Sequence, residues 1–161
     1  MSVSLYGSGQ TVVQTVSFIL PTTFSDSSGN FVNTGITASI TPLSSSNKIL
    51  VLYNVMTDPS GGAVFFQVQR GGTPIGVGNA GTGQRQVSGS SPNNTNSNAL
   101  INISNVFLDS PATTSSITYS VYGASQSSGS TMYINYSSGD SGNTAFGRGA
   151  STITLMEIAY V

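Results

Sequence analysis

The side chains of this chain that could perform acid–base chemistry are five carboxylates: Asp26, Asp58, Asp109, Asp140 and Glu157. A glycoside hydrolase needs two such groups about 5 to 10 Å apart, one as the acid and one as the base or nucleophile. The four aspartates stand in Ser-, Gly- or Pro-rich turn sequences, where an Asp side chain commonly accepts a hydrogen bond from a nearby backbone amide. We therefore expect them to close turns rather than to catalyse.

Glu157 differs from the aspartates because it stands between two apolar residues near the end of the chain, in a strand-like sequence. Two roles are open from the sequence. Its carboxylate either pairs across an interface with one of Arg70, Arg85 or Arg148, or faces water.

Most other catalytic templates fail on residue type. The chain has no His and no Cys, which excludes a disulfide, a thiolate nucleophile, an imidazole base and a Cys/His zinc site. A nucleophilic Ser would need Lys48 or a carboxylate as its base, and no Gly-x-Ser-x-Gly sequence is present. No segment resembles a calcium-binding Asp-x-Asp-x-Asp-Gly loop. We expect neither enzymatic activity nor a bound metal or cofactor.

Charge is scarce, with 4 Lys or Arg against 5 Asp or Glu in 161 residues. The four scattered cations form no basic stripe, so nucleic-acid binding is not expected. Polar residues interrupt the apolar stretch Val12–Leu20, so no membrane-spanning segment is expected. A monomer of 16.5 kDa would carry about one charge per 800 Å² of surface. Either part of this surface is buried against copies or a partner, or hydroxyls and amides alone keep the protein soluble.

The apolar residues are mainly Ile, Val and aromatics, with one Lys and one Glu in the whole chain, which is typical of strands. Runs bounded by Gly, Pro, Ser and Asn predict nine strands and no helix. The predicted strands are Val12–Leu20, Phe31–Ile40, Lys48–Met56, Ala63–Arg70, Thr73–Gly78, Leu100–Asp109, Ser116–Ala124, Thr131–Tyr136 and Thr152–Val161. The expected fold is one antiparallel β-sandwich domain over residues 11–161, preceded by an N-terminal arm over residues 1–10.

Two of these strands are apolar on both faces, at Ile49–Tyr53 and Val64–Phe66. A sandwich strand usually shows one face to water, so a second surface of these strands should be covered. Another copy of the chain would cover it, and so would a loop crossing the outer face. The residues we expect at an interface between copies are Leu50, Leu52, Tyr53, Phe65, Phe66 and Glu157.

Two connections are also informative. Gly71 and Gly72 join two strand-like runs and predict a two-residue hairpin, with Pro74 on an edge strand because it lacks an amide donor. The long Gly-, Ser- and Asn-rich stretch Gly78–Ala99 predicts a surface loop, either functional or simply solvated. The seven Tyr residues are expected mainly in the core and at interfaces, although Tyr can also stack on sugars.

Several segments in order resemble one family. They are Val12–Thr15, Gly35–Pro42, Ser44–Val51, Arg70–Gly78, Phe107–Thr114, Ile134–Asn135 and Ser151–Ile158. Together they are similar to a domain common in virion structural proteins of tailed phages, notably cyanophages and marine phages. The resemblance implies a jelly-roll-like sandwich that assembles as a homotrimer and has no enzymatic residues.

In fibre proteins this domain typically follows a long shaft, whereas here it begins about ten residues after Met1 with no shaft repeat before it. We therefore expect a capsid decoration or cement protein on the outside of the virion head, a trimer that clamps subunits of the major capsid protein. Leu5 and Tyr6 in the arm would contact the shell. The alternative is the receptor-binding tip of a tail fibre, with Gly78–Ala99 binding a cell-surface glycan.

Overall fold

A computed structural model describes residues 9–93, 100–142 and 144–160, and this part of the chain forms strands and no helix. In chain order the strands are β1 (Gln10–Leu20), β2 (Phe24–Asp26), β3 (Val32–Ile40), β4 (Lys48–Asp58), β5 (Val64–Arg70), β6 (Thr73–Ile75), β7 (Gly89–Ser90), β8 (Ile101–Asp109), β9 (Ile117–Ser125), β10 (Met132–Ile134) and β11 (Ser151–Tyr160). The described residues contain no helix that could span a membrane.

The strands form two antiparallel sheets. In the first sheet β4 pairs with β8 on one side and with β11 and the short β10 on the other, while β1 extends β11 and β2 extends β10. The second sheet has the order β3-β9-β5-β6, and β7 also pairs with β5. The expected all-β antiparallel sandwich is therefore confirmed, and the trimer stays a prediction.

The core lies between the sheets and follows from the two-residue period of the strands. Alternate residues of β4, such as Ile49 and Val51, are fully buried against Phe66 of β5 and Tyr119 of β9 in the second sheet. Burying each large apolar side chain contributes about 1.5 to 3 kcal/mol. The sandwich therefore has a continuous core within one copy of the chain.

The predicted hairpin is confirmed. Gly71 and Gly72 join β5 to β6 with φ values of +56° and +89°, the backbone of the hairpin turn that suits twisted strands. Pro74 lies on β6, at the end of the strand order of the second sheet. Strand β2 was not predicted, and β7 lies within the predicted surface loop.

Asn135 joins the end of the first sheet to the segments beside it. Its φ is +66°, a conformation that Asn tolerates better than most residues. Nδ2 donates to Leu20 O at 2.7 Å and to Thr22 O at 2.9 Å, and Oδ1 accepts a hydrogen bond from Ser151 Oγ at 2.6 Å. The buried amide is thus satisfied on both its nitrogen and its oxygen.

Candidate functional site

Three of the four aspartates close turns, as expected. Asp26 Oδ1 accepts a hydrogen bond from Ser28 N at 2.9 Å, and Asp58 Oδ1 accepts one from Ser60 N at 2.7 Å. Asp140 Oδ1 accepts a weaker one from Gly142 N at 3.3 Å. Asp140 also pairs with Arg148, whose Nη2 lies 2.6 Å from Oδ2.

For Asp109, the expected turn role is wrong. Arg70 Nη1 donates to both of its carboxylate oxygens, at 2.8 and 2.7 Å, and Tyr119 OH donates to Oδ2 at 2.7 Å. Asp109 ends β8 of the first sheet, whereas Arg70 and Tyr119 belong to β5 and β9 of the second. Burial, and then the neighbouring carboxylate, raise the pKa of Tyr119. The three side chains therefore connect the two sheets as a structural cluster.

Glu157 is fully buried, so of the two roles left open for its carboxylate, the one in which it faces water is wrong. Its Oε1 accepts hydrogen bonds from Leu43 N at 2.7 Å and from Asn47 Nδ2 at 2.6 Å. With its amide turned so that Nε2 donates, Gln14 lies 3.2 Å from Oε2. These neutral donors hold the connection between β3 and β4 against β11, and the carboxylate has an internal structural role.

The carboxylates lie apart from one another and are held by internal hydrogen bonds. Among the described residues, no three carboxylates come close enough to hold a metal ion. Asp58 is buried, and its second oxygen accepts a hydrogen bond from Ser138 N at 2.6 Å. Each of the five carboxylates is thus bound to backbone or side-chain donors of its own chain.

The outer face of β5 is covered by the chain's own loop. Arg85 lies over the Phe65 ring, with its guanidinium carbon 5.1 Å from the ring centroid, and 5.8 Å from that of Phe31. Arg85 Nη2 donates to Gly29 O at 2.8 Å and to Gln126 O at 3.3 Å. Two possibilities were considered for covering the strands that are apolar on both faces, and at Phe65 the cover is a loop of the same chain.

The outer face of β4 is different because it is open. Strands β8, β4, β11 and β1 run side by side here, and their outward side chains include a contiguous group that we call the apolar face: Leu50, Leu52, Val106, Leu108, Met156 and Ile158. Val106 is 55 % exposed and Leu108 is 47 % exposed, and the other four are partly exposed. An exposed contiguous apolar surface commonly marks an interaction site.

A shallow depression of about 600 Å³ lies at the centre of this region. Leu52, Val106 and Met156 supply its apolar wall, while Asn54 and Thr154 are among its polar lining residues. The Asn54 Oδ1 atom is buried and has no hydrogen-bond partner among the described residues. The lining contains no charged side chain, so the depression suits a neutral surface or ligand.

The outer face of the second sheet has the opposite character. Ser39 and Thr118 share a hydrogen bond of 2.8 Å between their hydroxyls, and Thr37 Oγ1 donates to Ser120 Oγ at 3.0 Å. The Ser39–Thr118 pair is exposed to water, whereas Ser120 is buried. Among the described residues, five of the exposed large apolar side chains lie on strands of the first sheet and none on strands of the second. The outer face of the first sheet is therefore the candidate interaction surface.

The predicted interface residues separate into three environments. Leu50 and Leu52 belong to the apolar face, whereas Phe65 lies beneath Arg85. Tyr53 and Phe66 are core residues with 2 % and 0 % exposure, and burial raises the pKa of Tyr53. Glu157 is buried as well. Leu5 and Tyr6 of the predicted arm lie outside the described residues.

Sequence reasoning missed Val106, Leu108, Met156 and Ile158. The alternation of side chains along β8 was visible in the sequence, but alternation alone does not say which of the two alternating sets of residues faces the core. The available signal was that both sets contain apolar residues, Ile101, Ile103 and Phe107 on one side, Val106 and Leu108 on the other. That is the same two-sided signal that identified β4.

Neither the protein-family models nor the curated proteins compared with this sequence match it. The function must therefore be inferred from the residues and surfaces of the chain itself.

Proposed function

We propose that this chain is a non-catalytic structural protein of a phage virion, a homotrimeric capsid decoration or cement protein that contacts the major capsid protein. The observation that carries the structural role is the open apolar face. It lies in a region whose outward side chains are almost entirely uncharged, with Lys48 at one end. A surface of this kind favours association with another protein surface.

The use of charge inside the molecule supports the same proposal. Arg70 and Arg148 form ion pairs with carboxylates of the same chain. The carboxylates of Asp58 and Glu157 are buried and accept hydrogen bonds from donors within the chain. Few charges remain to keep copies apart, and exposed charge is what usually maintains a monomer in solution. The assignment to a virion is supported by the resemblance of the sequence to phage virion domains.

The alternative role is the receptor-binding tip of a tail fibre. The observation that favours this role is the depression of about 600 Å³, because amide and hydroxyl side chains line it. They are those of Asn54, Ser104, Asn105, Thr152 and Thr154. These groups match the hydroxyls of a neutral sugar. The ligand would then be a cell-surface glycan.

The experiment is electron microscopy of virions labelled with an antibody against this chain, together with mass spectrometry of the virion proteins. Label over the whole head and many copies per virion are the expected result for a decoration protein. Label confined to the tail would replace it with the fibre-tip alternative. If neither head nor tail is labelled, the virion proposal is wrong.

A further inference from the structure

We propose that three copies of this chain pack their apolar faces together around a threefold axis, so that the first sheet of each copy forms one side of a closed prism. This inference rests on the trimer of the proposed function and adds the surface that builds it. The occupant of the apolar face is thus a second and a third copy of the same chain.

The size of the face is sufficient. The apolar face lies on β4, β8 and β11, and with the neighbouring β1 the outer surface spans four strands of nine to eleven residues each. With a rise of about 3.3 Å per residue and a spacing of about 4.8 Å between strands, they present roughly 600 Å². A specific interface needs a total of about 1,000 Å² or more over both partners. In the prism each surface is shared between two neighbours, so one pairwise contact buries about 600 Å² and the three contacts together bury about 1,800 Å². The closed trimer therefore meets this requirement, whereas a single pair within it does not.

The charge distribution permits identical faces to meet. On the described outer surface of these strands, the charged side chain is Lys48, which lies at the start of β4. Its Nζ donates a hydrogen bond to Ser110 Oγ at 2.7 Å at an exposed position. Desolvating unpaired charges would oppose contact between copies, and the centre of the face has none. The hydroxyl-lined outer face of the second sheet lacks the apolar area for the same contact.

The width of the sheet selects the number of copies. Four strands are about 19 Å wide, and three such sheets placed as a triangular prism lie about 5.5 Å from the central axis. Half of the usual separation between packed sheets is about 5 Å, so side chains from three faces fill the interior. Four copies would place each sheet about 10 Å from the axis and leave an open channel.

The edges of the sheet favour three copies over two. Within the described residues, β8 and β1 are the edge strands of this four-strand region. Unpaired edge strands are prone to uncontrolled association. In the prism, β8 of one copy lies beside β1 of the next and protects it. Two copies packed face to face would leave both edges exposed.

The first test measures mass. Light scattering and sedimentation on the whole chain from about 1 to 50 µM should give three times the 16.5 kDa chain mass. Val106→Lys places a charge on the apolar face at a 55 % exposed position, where the isolated fold tolerates it. We expect it to raise the trimer dissociation constant about 100-fold or more, because the ammonium would be desolvated. The matched control is Thr118→Lys on the other outer face, with no change expected.

A second test does not depend on disrupting the fold. The chain contains no cysteine, so Val106→Cys and Thr118→Cys each introduce a unique thiol. At concentrations where the protein is trimeric, the thiol at position 106 should react with a maleimide at least about tenfold more slowly than when the protein is diluted to monomer. The thiol at position 118 should react equally fast in both conditions.

The outcomes separate this inference from the proposed function. A trimeric wild type whose mass is unaffected by Val106→Lys, with an unprotected thiol at position 106, would overturn the inference and leave the virion role intact. A wild type that is monomeric or dimeric at 50 µM would also overturn it. Loss of the virion role would instead be seen as unlabelled virions, even if the purified chain is a trimer.

Discussion

Replacing Asp109 by Ala tests whether the cluster of Asp109, Arg70 and Tyr119 holds the two sheets together. The substitution removes both hydrogen bonds from Arg70 and the one from Tyr119 OH. Tyr119 is fully buried, so its hydroxyl would lose its partner without gaining water. The contribution of the cluster can be estimated from these contacts.

A hydrogen bond to a charged group contributes about 1.5 to 3 kcal/mol, and an unsatisfied buried hydroxyl costs about 1 to 3 kcal/mol. The ion pair contributes less than a buried one because the Arg70 side chain is 30 % exposed and water screens it. We therefore expect Asp109→Ala to lower the free energy of unfolding by about 3 kcal/mol. Asp109→Asn keeps an acceptor for Tyr119 and should cost about half as much.

The assay is urea unfolding at pH 7 and one fixed chain concentration, because assembly makes apparent stability concentration-dependent. Asp26→Ala is the control, since its hydrogen bonds are at an exposed turn, and a loss of no more than about 1 kcal/mol is expected there. The double variant with Tyr119→Phe should be less destabilised than the sum of the two singles. A loss below 1 kcal/mol for Asp109→Ala, or strict additivity, would refute the reasoning.

Three further predictions concern other parts of the sandwich. Asn135→Ala should lower the unfolding free energy by about 3 kcal/mol because three side-chain hydrogen bonds are lost. Asn135→Gly should be more stable than Asn135→Ala, because glycine adopts the positive φ without strain but does not restore the hydrogen bonds. Equal stability of the two variants in urea would contradict this. Because the pKa of Tyr119 is raised in the folded state, its hydroxyl loses its proton at a lower pH in the unfolded state. The free energy of unfolding should therefore fall above about pH 10 by up to 1.4 kcal/mol per pH unit. In urea titrations Tyr119→Phe should make this decline with pH less steep, and an unchanged slope would contradict the role of Tyr119. Gly76→Ala would place a Cβ 2.6 Å from the Phe107 ring at a φ of +60°. The control is Gly71→Ala, because Gly71 has a similar φ but open space around it. In thermal unfolding, Gly76→Ala should lower the free energy of unfolding by about 1 to 3 kcal/mol more than Gly71→Ala does, and equal losses of stability would refute the clash.

Most of the fold could be predicted because strands leave local signals. Alternation, β-branched composition and Gly or Pro boundaries located nine of the strands to within a few residues, and the Gly71-Gly72 pair predicted its turn. Strand β2 was missed because Phe24–Asp26 contains one apolar residue, and the Thr, Ser and Gly residues around it are typical of a turn. Its pairing with β10 is a contact more than a hundred residues away in the chain.

The candidate site was only partly predictable. Leu50 and Leu52 were identified because β4 is apolar on both faces, but so is β5, and there the loop residue Arg85 covers Phe65. The same sequence signal thus has two structural outcomes. Which outcome applies depends on the path of the loop around residue 85, which no local pattern encodes.

The sequence by itself determined the residue chemistry that is possible and the class of fold. With no His, no Cys and few charged residues, and with β-branched residues alternating between short turns, it indicated an all-β sandwich. Tertiary structure alone decided the roles of individual residues: Asp109 and Glu157 have similar carboxylates, yet one connects the two sheets and the other is buried on neutral donors. The physical reason is that a side chain's burial and partners come from strands distant in sequence, and only the packing of the two sheets brings those strands together.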